Sequence, residues 1–237
     1  MVVIIIILVS IFAFSVANPP LQIPSNSQSY SHKLPNWSEK IISPEDLLPP
    51  SLKPLHYEIK LQPILYPEGG PNEWSAPGSV EITALGVSEI NKIVIHRHPD
   101  LKINQTSITL SDEFHNSIKV ESVEEGSDSH KYGIVLGSNL IIGRKYVLSL
   151  KFVADINDGS TGLGLYRAFY TDQNGDVKRL ATTQFMEYGA RKVFPCLDEP
   201  SFKSTFAIYL ARRTEDKNYI TLTNSILKIN GSGVEEY

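Results

Sequence analysis

From His56 onward the chain is a succession of short β-branched runs separated by turn clusters, and no segment sustains a helical apolar period for three turns. His56 to Leu65 sets Tyr57, Ile59 and Leu61 against His56, Glu58 and Lys60, the alternation of a half-buried strand. Lys145 to Val153 has the clearest strand composition. Leu163–Thr171 and Val177–Thr183 flank Asp172-Gln-Asn-Gly-Asp176, where Asn174-Gly175 offers the two residues that most readily take φ > 0, so a hairpin is expected. Roughly ten such strands predict an all-β domain, antiparallel and sandwich-like or saddle-shaped. One helical turn is expected within Glu187–Val193, stopped before Pro195.

Ahead of this β-rich region lie two segments of different character. Val2 to Ala17 is apolar apart from Ser10 and Ser15. At about 1.5 Å per residue it falls short of a hydrocarbon core of about 30 Å. Ser15-Val-Ala17 supplies small residues before Asn18-Pro-Pro, so residues 1–17 read as a cleaved secretory signal. A signal anchor is the rival, and it alone leaves room for membrane association; the basic flanks it calls for are missing from the run. Residues 18–53, rich in Pro and Ser, read as a linker, and the ordered domain is expected over 54–237. Sequons at Asn36, Asn104 and Asn230 fit export, which points to a secreted protein or one on the extracellular face of the plasma membrane.

Several chemistries are excluded or disfavoured. The net charge of −4 carries no basic excess to neutralise phosphates, so nucleic acid is not an expected partner. Cys196 is the single cysteine, which forbids an internal disulfide and reads as a small buried apolar residue. The six histidines, His32, His56, His96, His98, His115 and His130, do not have the HExxH spacing of a zinc peptidase. His96-Arg-His98 would share a strand face, but no acidic or thiol partner is well placed, so no metal ligand is assigned. No GxSxG elbow or phosphate-binding glycine loop occurs. The acidic stretch within Ser122–Lys131 reads as a solvated loop.

The most specific stretch is Leu180 to Pro200, LATTQFMEYGARKVFPCLDEP, which gathers Gln184, Glu187, Arg191, Asp198 and Glu199 into a short span. Adjacent Asp198 and Glu199 precede Pro200, and a structural ion pair with Arg191 or Lys192 is a simpler reading than acid-base chemistry. Together with Tyr166, Arg167 and Tyr170, and followed by Lys203 and Phe206, this stretch resembles the amino-terminal β-domain of the aminopeptidase N family of zinc exopeptidases. Relatives there run approximately YRS.Y, then ATTQ.E..DAR..FPC.DEP..K..F. The likeness extends over about Leu48 to Thr223, with Leu48-Pro-Pro-Ser-Leu-Lys-Pro-Leu-His-Tyr57 similar to the family's entry into its first strand.

The resemblance implies a domain that packs on a thermolysin-like zinc domain and lends a loop to the substrate pocket. Gln184 would line the pocket for the substrate's first side chain. Two residues on, the family usually has Glu or Gln, which helps to bind the free α-amine; this sequence has Met186, with Glu187 next to it. Arg191, Asp198 and Glu199 would hold the loop. GAMEN and HExxH, which relatives place beyond the β-domain, do not occur in these 237 residues. The chain alone is therefore expected to be inactive and without a cofactor, zinc belonging to full-length family members, and to be a gene fragment or a degenerate copy with its last strands incomplete. Its expected partner is a peptide substrate or a separate catalytic domain. The rival reading is a non-enzymatic secreted module that binds peptides or another protein.

Overall fold

The computed structural model describes residues 3–7, 47–65, 74–125, 130–212 and 219–223. The structure is all-β, and antiparallel pairing dominates. At its centre β3 (Ser75–Gly86) lies between β2 (Leu52–Leu61) and β9 (Lys145–Asp155). The sequence alternation explains this arrangement directly. On β9 the residues Tyr146, Leu148, Leu150, Phe152 and Ala154 are buried, while Lys145 and Lys151 face water. On β3 the matching residues are Val80, Ile82 and Ala84, opposite Leu150, Leu148 and Tyr146. Register is thereby determined, since a slip by one residue would turn this apolar set to solvent. β5 (Lys102–Asp112) continues the sheet beyond β9, two-residue β6 (Ser117–Ile118) follows it, and β12 (Thr205–Leu210) closes the far side against β2.

A second sheet runs in the order β4 (Lys92–His96), β8 (Lys131–Leu136) and β7 (Val120–Glu125). It brings Ile93, Ile95, Tyr132, Ile134 and Leu136 into the same core as Ile82 and Leu148. A third sheet is built on the hairpin of β10 (Gly164–Thr171) and β11 (Val177–Gln184).

Several expectations need adjustment. The ordered part begins before the boundary at residue 54: Leu48 and Leu52 are buried, and Pro54 lies inside β2. A register shift between Pro54 and His56 accommodates a residue that cannot donate to a ladder. The hairpin turn is a five-residue loop in which Gly175 takes φ 84°, whereas Asn174 does not appear among the positive-φ residues. Asp172 Oδ1 holds the loop by accepting from the amides of Asn174 and Asp176, each at 2.9 Å. β7 extends into the acidic stretch read as a loop, because Glu124 pairs with Lys92 at 2.6 Å and Glu125 with Arg97. β12 runs parallel to β2, which the long stretch of chain between them, residues 62–204, permits.

The apolar segment read as a leader contributes β1 (Val3–Ile7) to the third sheet, in parallel register with both β11 and β13 (Tyr219–Thr223). The remainder of the leader, residues 18–46 of the linker and the tail from residue 224 lie outside the described residues, as do Asn36 and Asn230.

Leu148 is fully buried between β3 and β5. Leu148→Ala is expected to lower unfolding free energy by about 2–5 kcal/mol, the range for truncating a buried leucine. Urea denaturation of the full chain measures it as a lower midpoint at unchanged slope.

Candidate functional site

The specific stretch begins as β11 and leaves the sheet at Gln184, which pairs with Gly164 across the hairpin. Gly164 has φ 82° and is buried, and a Cβ there would lie 3.0 Å from Lys192 Cβ, so glycine lets the chain after Gly189 pack closely beside the half-buried Gln184. Phe185 then turns inward against Phe194, with ring centroids 5.9 Å apart. Met186, Glu187 and Tyr188 form an exposed tip, Met186 at 52% and Tyr188 at 47% of full exposure. The Met186–Glu187 peptide bond is cis. The chain comes back at Gly189, whose amide donates to Phe185 O at 2.8 Å. A Cβ on Gly189 would lie 2.4 Å from Gln184 O and 2.9 Å from Leu163 Cδ1, so only glycine lets the loop close this tightly.

Ala190–Lys192 form the expected helical turn, as a 3₁₀ segment ending before Pro195. Beyond it the chain is clamped from several sides. His96 and Cys196 exchange two backbone hydrogen bonds, His96 N to Cys196 O at 2.8 Å and Cys196 N to His96 O at 3.1 Å. The Asp198 amide donates to His96 Nδ1 at 3.1 Å, and the Leu197 amide donates to Tyr57 Oη at 3.1 Å. His98 N donates to Arg191 O at 2.7 Å. Arg191 binds Asp198 through Nε to Oδ2 at 2.8 Å and through Nη2 to the Asp198 carbonyl at 3.0 Å. Glu199 Oε1 accepts from the Leu48 amide at 2.5 Å. Arg191, Asp198 and Glu199 thus all bond within or across the loop, while Gln184, Met186 and Glu187 stand at its open end.

The electrostatics agree with a rigid base. Burial pushes the Cys196 thiol well above its ordinary range, the nearby Asp198 carboxylate adding to the effect, so the sulfur is an apolar filler. Burial likewise raises Tyr57, which stacks on Phe206 at 4.9 Å. His98 is lowered, first by burial and then by Lys192, with His130 and Arg191 adding to the shift; together they outweigh Asp100, 3.1 Å away, which favours the charged ring.

Sequence reasoning did not foresee the parts of His96, His98, Tyr57 and Gly189. Each acts across a large sequence separation or by backbone contact, and only the lone glycine after the aromatic tip was a usable local signal.

The histidines that the structure describes have partners within the fold. Among the described residues no three His, Cys, Asp or Glu side chains are grouped to hold a metal ion. His96 is committed to Asp198, His56 bonds Thr205, and His98 packs edge-on against His130 with ring centroids 5.1 Å apart.

The structure is thus an all-β domain that presents a polar and aromatic loop from a clamped base. Residues 53–231 match the peptidase M1 N-terminal domain, and the chain belongs to that family. The chain is 31% identical over 183 residues to puromycin-sensitive aminopeptidase of Caenorhabditis elegans, covering 76% of this chain and 17% of that protein. It is 33% identical over 169 residues to aminopeptidase Q of Mus musculus, with coverage of 68% and 30%. Endoplasmic reticulum aminopeptidase 1 of Mus musculus is 25% identical over 177 residues, with coverage of 75% and 18%. The chain thus spans less than a third of the length of these relatives.

Because His98 is harder to protonate in the fold than in the unfolded chain, it contributes stability above its ordinary pKa of about 6.5, lost as pH falls below that value. Thermal melts from pH 7.5 to 5 should show Tm falling with acidification, and His98→Asn should flatten that fall. An unchanged slope in the variant would remove His98 from the account.

Proposed function

We propose that the chain serves as the substrate-side β-domain of a zinc aminopeptidase-like protein, forming one wall of a cleft that receives the amino end of a peptide. The carrying observation is the separation of roles within one loop. Its 190–199 half is tied to β2, β4 and the start of the domain, while Gln184, Met186 and Glu187 stand at the other end. A clamped base lets an exposed tip keep its geometry when a ligand or a second domain arrives. In the relatives named above the word aminopeptidase describes the whole protein, and here release of N-terminal residues would be the work of a separate catalytic domain holding the zinc.

Gln184 offers both an amide oxygen and an amide nitrogen at the end of β11, beside the exposed tip, which suits a peptide's first residue. Met186 offers a thioether, a weak and uncharged acceptor for an ammonium group. Peptide binding to the full chain should therefore differ little between free and acetylated amino termini. Met186→Glu is expected to gain about tenfold for the free amine, or about 1.4 kcal/mol. Gln184→Ala should weaken both peptides, measured by calorimetry. Binding unaffected by Gln184→Ala would favour a non-enzymatic module that uses another surface.

We place the protein in the secretory route, on the strength of the apolar residues 2–17 and the small residues at Ser15 and Ala17. Among the described residues no helix is long and apolar enough to cross a membrane. Expressed in secreting cells, the mature protein should begin at Asn18 by N-terminal sequencing. A product that starts at Met1 and stays with the membrane fraction would establish the anchor instead.

A further inference from the structure

We infer that Asn104 carries an N-linked glycan and that this glycan covers an open sheet edge; the inference rests on the secretory reading above. β5 has β9 along one side, but on the other β6 pairs only with Leu110 and Ser111. Among the described residues no strand pairs with the Lys102–Thr109 part of that second side. An unpaired ladder of this length is a template for strand addition by another chain.

The sequence at this edge is Asn104-Gln-Thr106, and the backbone there leaves the regular ladder. The register with β9 breaks between Asn104 and Thr109. Ser107 bridges the gap: its Oγ accepts from the Lys151 amide at 2.8 Å and donates to Asn104 O at 2.6 Å. Asn104, Gln105 and Thr106 are all exposed. Asn104 Oδ1 accepts twice from Thr106, from its Oγ1 at 2.8 Å and from its amide at 3.1 Å. These two bonds orient the side-chain amide, with Nδ2 on the side opposite the oxygen. Among the described residues no hydrogen bond engages Nδ2.

Asn104-Gln-Thr106 is the acceptor sequence for glycosyl transfer to an amide. Nδ2 forms a bond to the anomeric carbon of an oligosaccharide carried on a lipid diphosphate, the carbon–oxygen bond to the diphosphate breaks, and Nδ2 loses one proton to a base of the transferase. Attachment precedes folding in the secretory route, so the fold must leave the sugar outside. The bulge does so, and a branched sugar at residue 104 would stand across the unpaired edge. A polar, bulky group there prevents a second chain from docking.

The test uses the full chain behind a cleavable leader from another protein, in a glycosylating host, with protein collected from the medium. Delivery then does not depend on residues 1–17, so failure of the native leader and failure of this inference are separate results. Enzymatic release of N-glycans should convert Asn104 to Asp in most molecules, read by peptide mass spectrometry. Thr106→Ala should abolish the conversion and Thr106→Ser, which keeps the hydroxyl, should retain it. Asn104→Gln should raise the aggregated fraction several-fold in size-exclusion chromatography. An unmodified Asn104 in the secreted wild-type chain would overturn the inference. Full occupancy with no change in aggregation on its loss would overturn the edge-covering role.

Discussion

One stretch of irregular chain, residues 190–198, touches all three sheets. His96 belongs to the β4 sheet, Tyr57 to the β2 sheet, and the stretch itself issues from β11. Two reciprocal backbone bonds to His96 and one amide bond to Tyr57 satisfy groups that would otherwise be buried without partners. Because Val193, Phe194, Cys196 and Leu197 are buried in the common core, the polar bonds and the apolar contacts act on the same few residues. A domain with no disulfide to staple it needs such a junction, and here it is made by packing.

This junction also explains the character of the loop's open end. A tip composed of Met186, Glu187 and Tyr188 would be an unstructured protrusion if its flanks were free to move. The close approach at Gly189, the Phe185–Phe194 contact and the Arg191–Asp198 pair constrain both flanks within a few residues. Arg191 and Asp198 are both largely shielded, which lends their two-point contact more weight than an exposed pair has. In the role proposed for the loop, side chains held this way would meet a ligand with little ordering cost.

The third sheet carries a tension of its own. β1 fills the place between β11 and β13, yet it is drawn from the segment with the composition of a secretory leader. An apolar run of isoleucines has both high strand propensity and high membrane affinity, so one composition serves both outcomes. In the secretory route proposed above, removal of residues 1–17 would take β1 from its place beside β11.

Much of the fold was legible from alternation alone. Tyr57, Ile59 and Leu61, and Tyr146 through Phe152, announce their buried faces because side chains on a strand repeat every second residue. Glycine and proline positions likewise announced the hairpin and the end of the helical turn, and the loop sequence carried its family likeness openly. What no local pattern could contain is partner choice across long separations. That β12 lies parallel to β2, that β7 carries its strand into an acidic stretch opposite Lys92 and Arg97, and that His96 closes on Cys196 are all decided by the shape of the assembled core. The sequence by itself determined which faces must be hidden from water. Only the tertiary structure decided which hidden faces meet, because burial is set by composition along a strand whereas pairing is set by the competition among all strands for the same core.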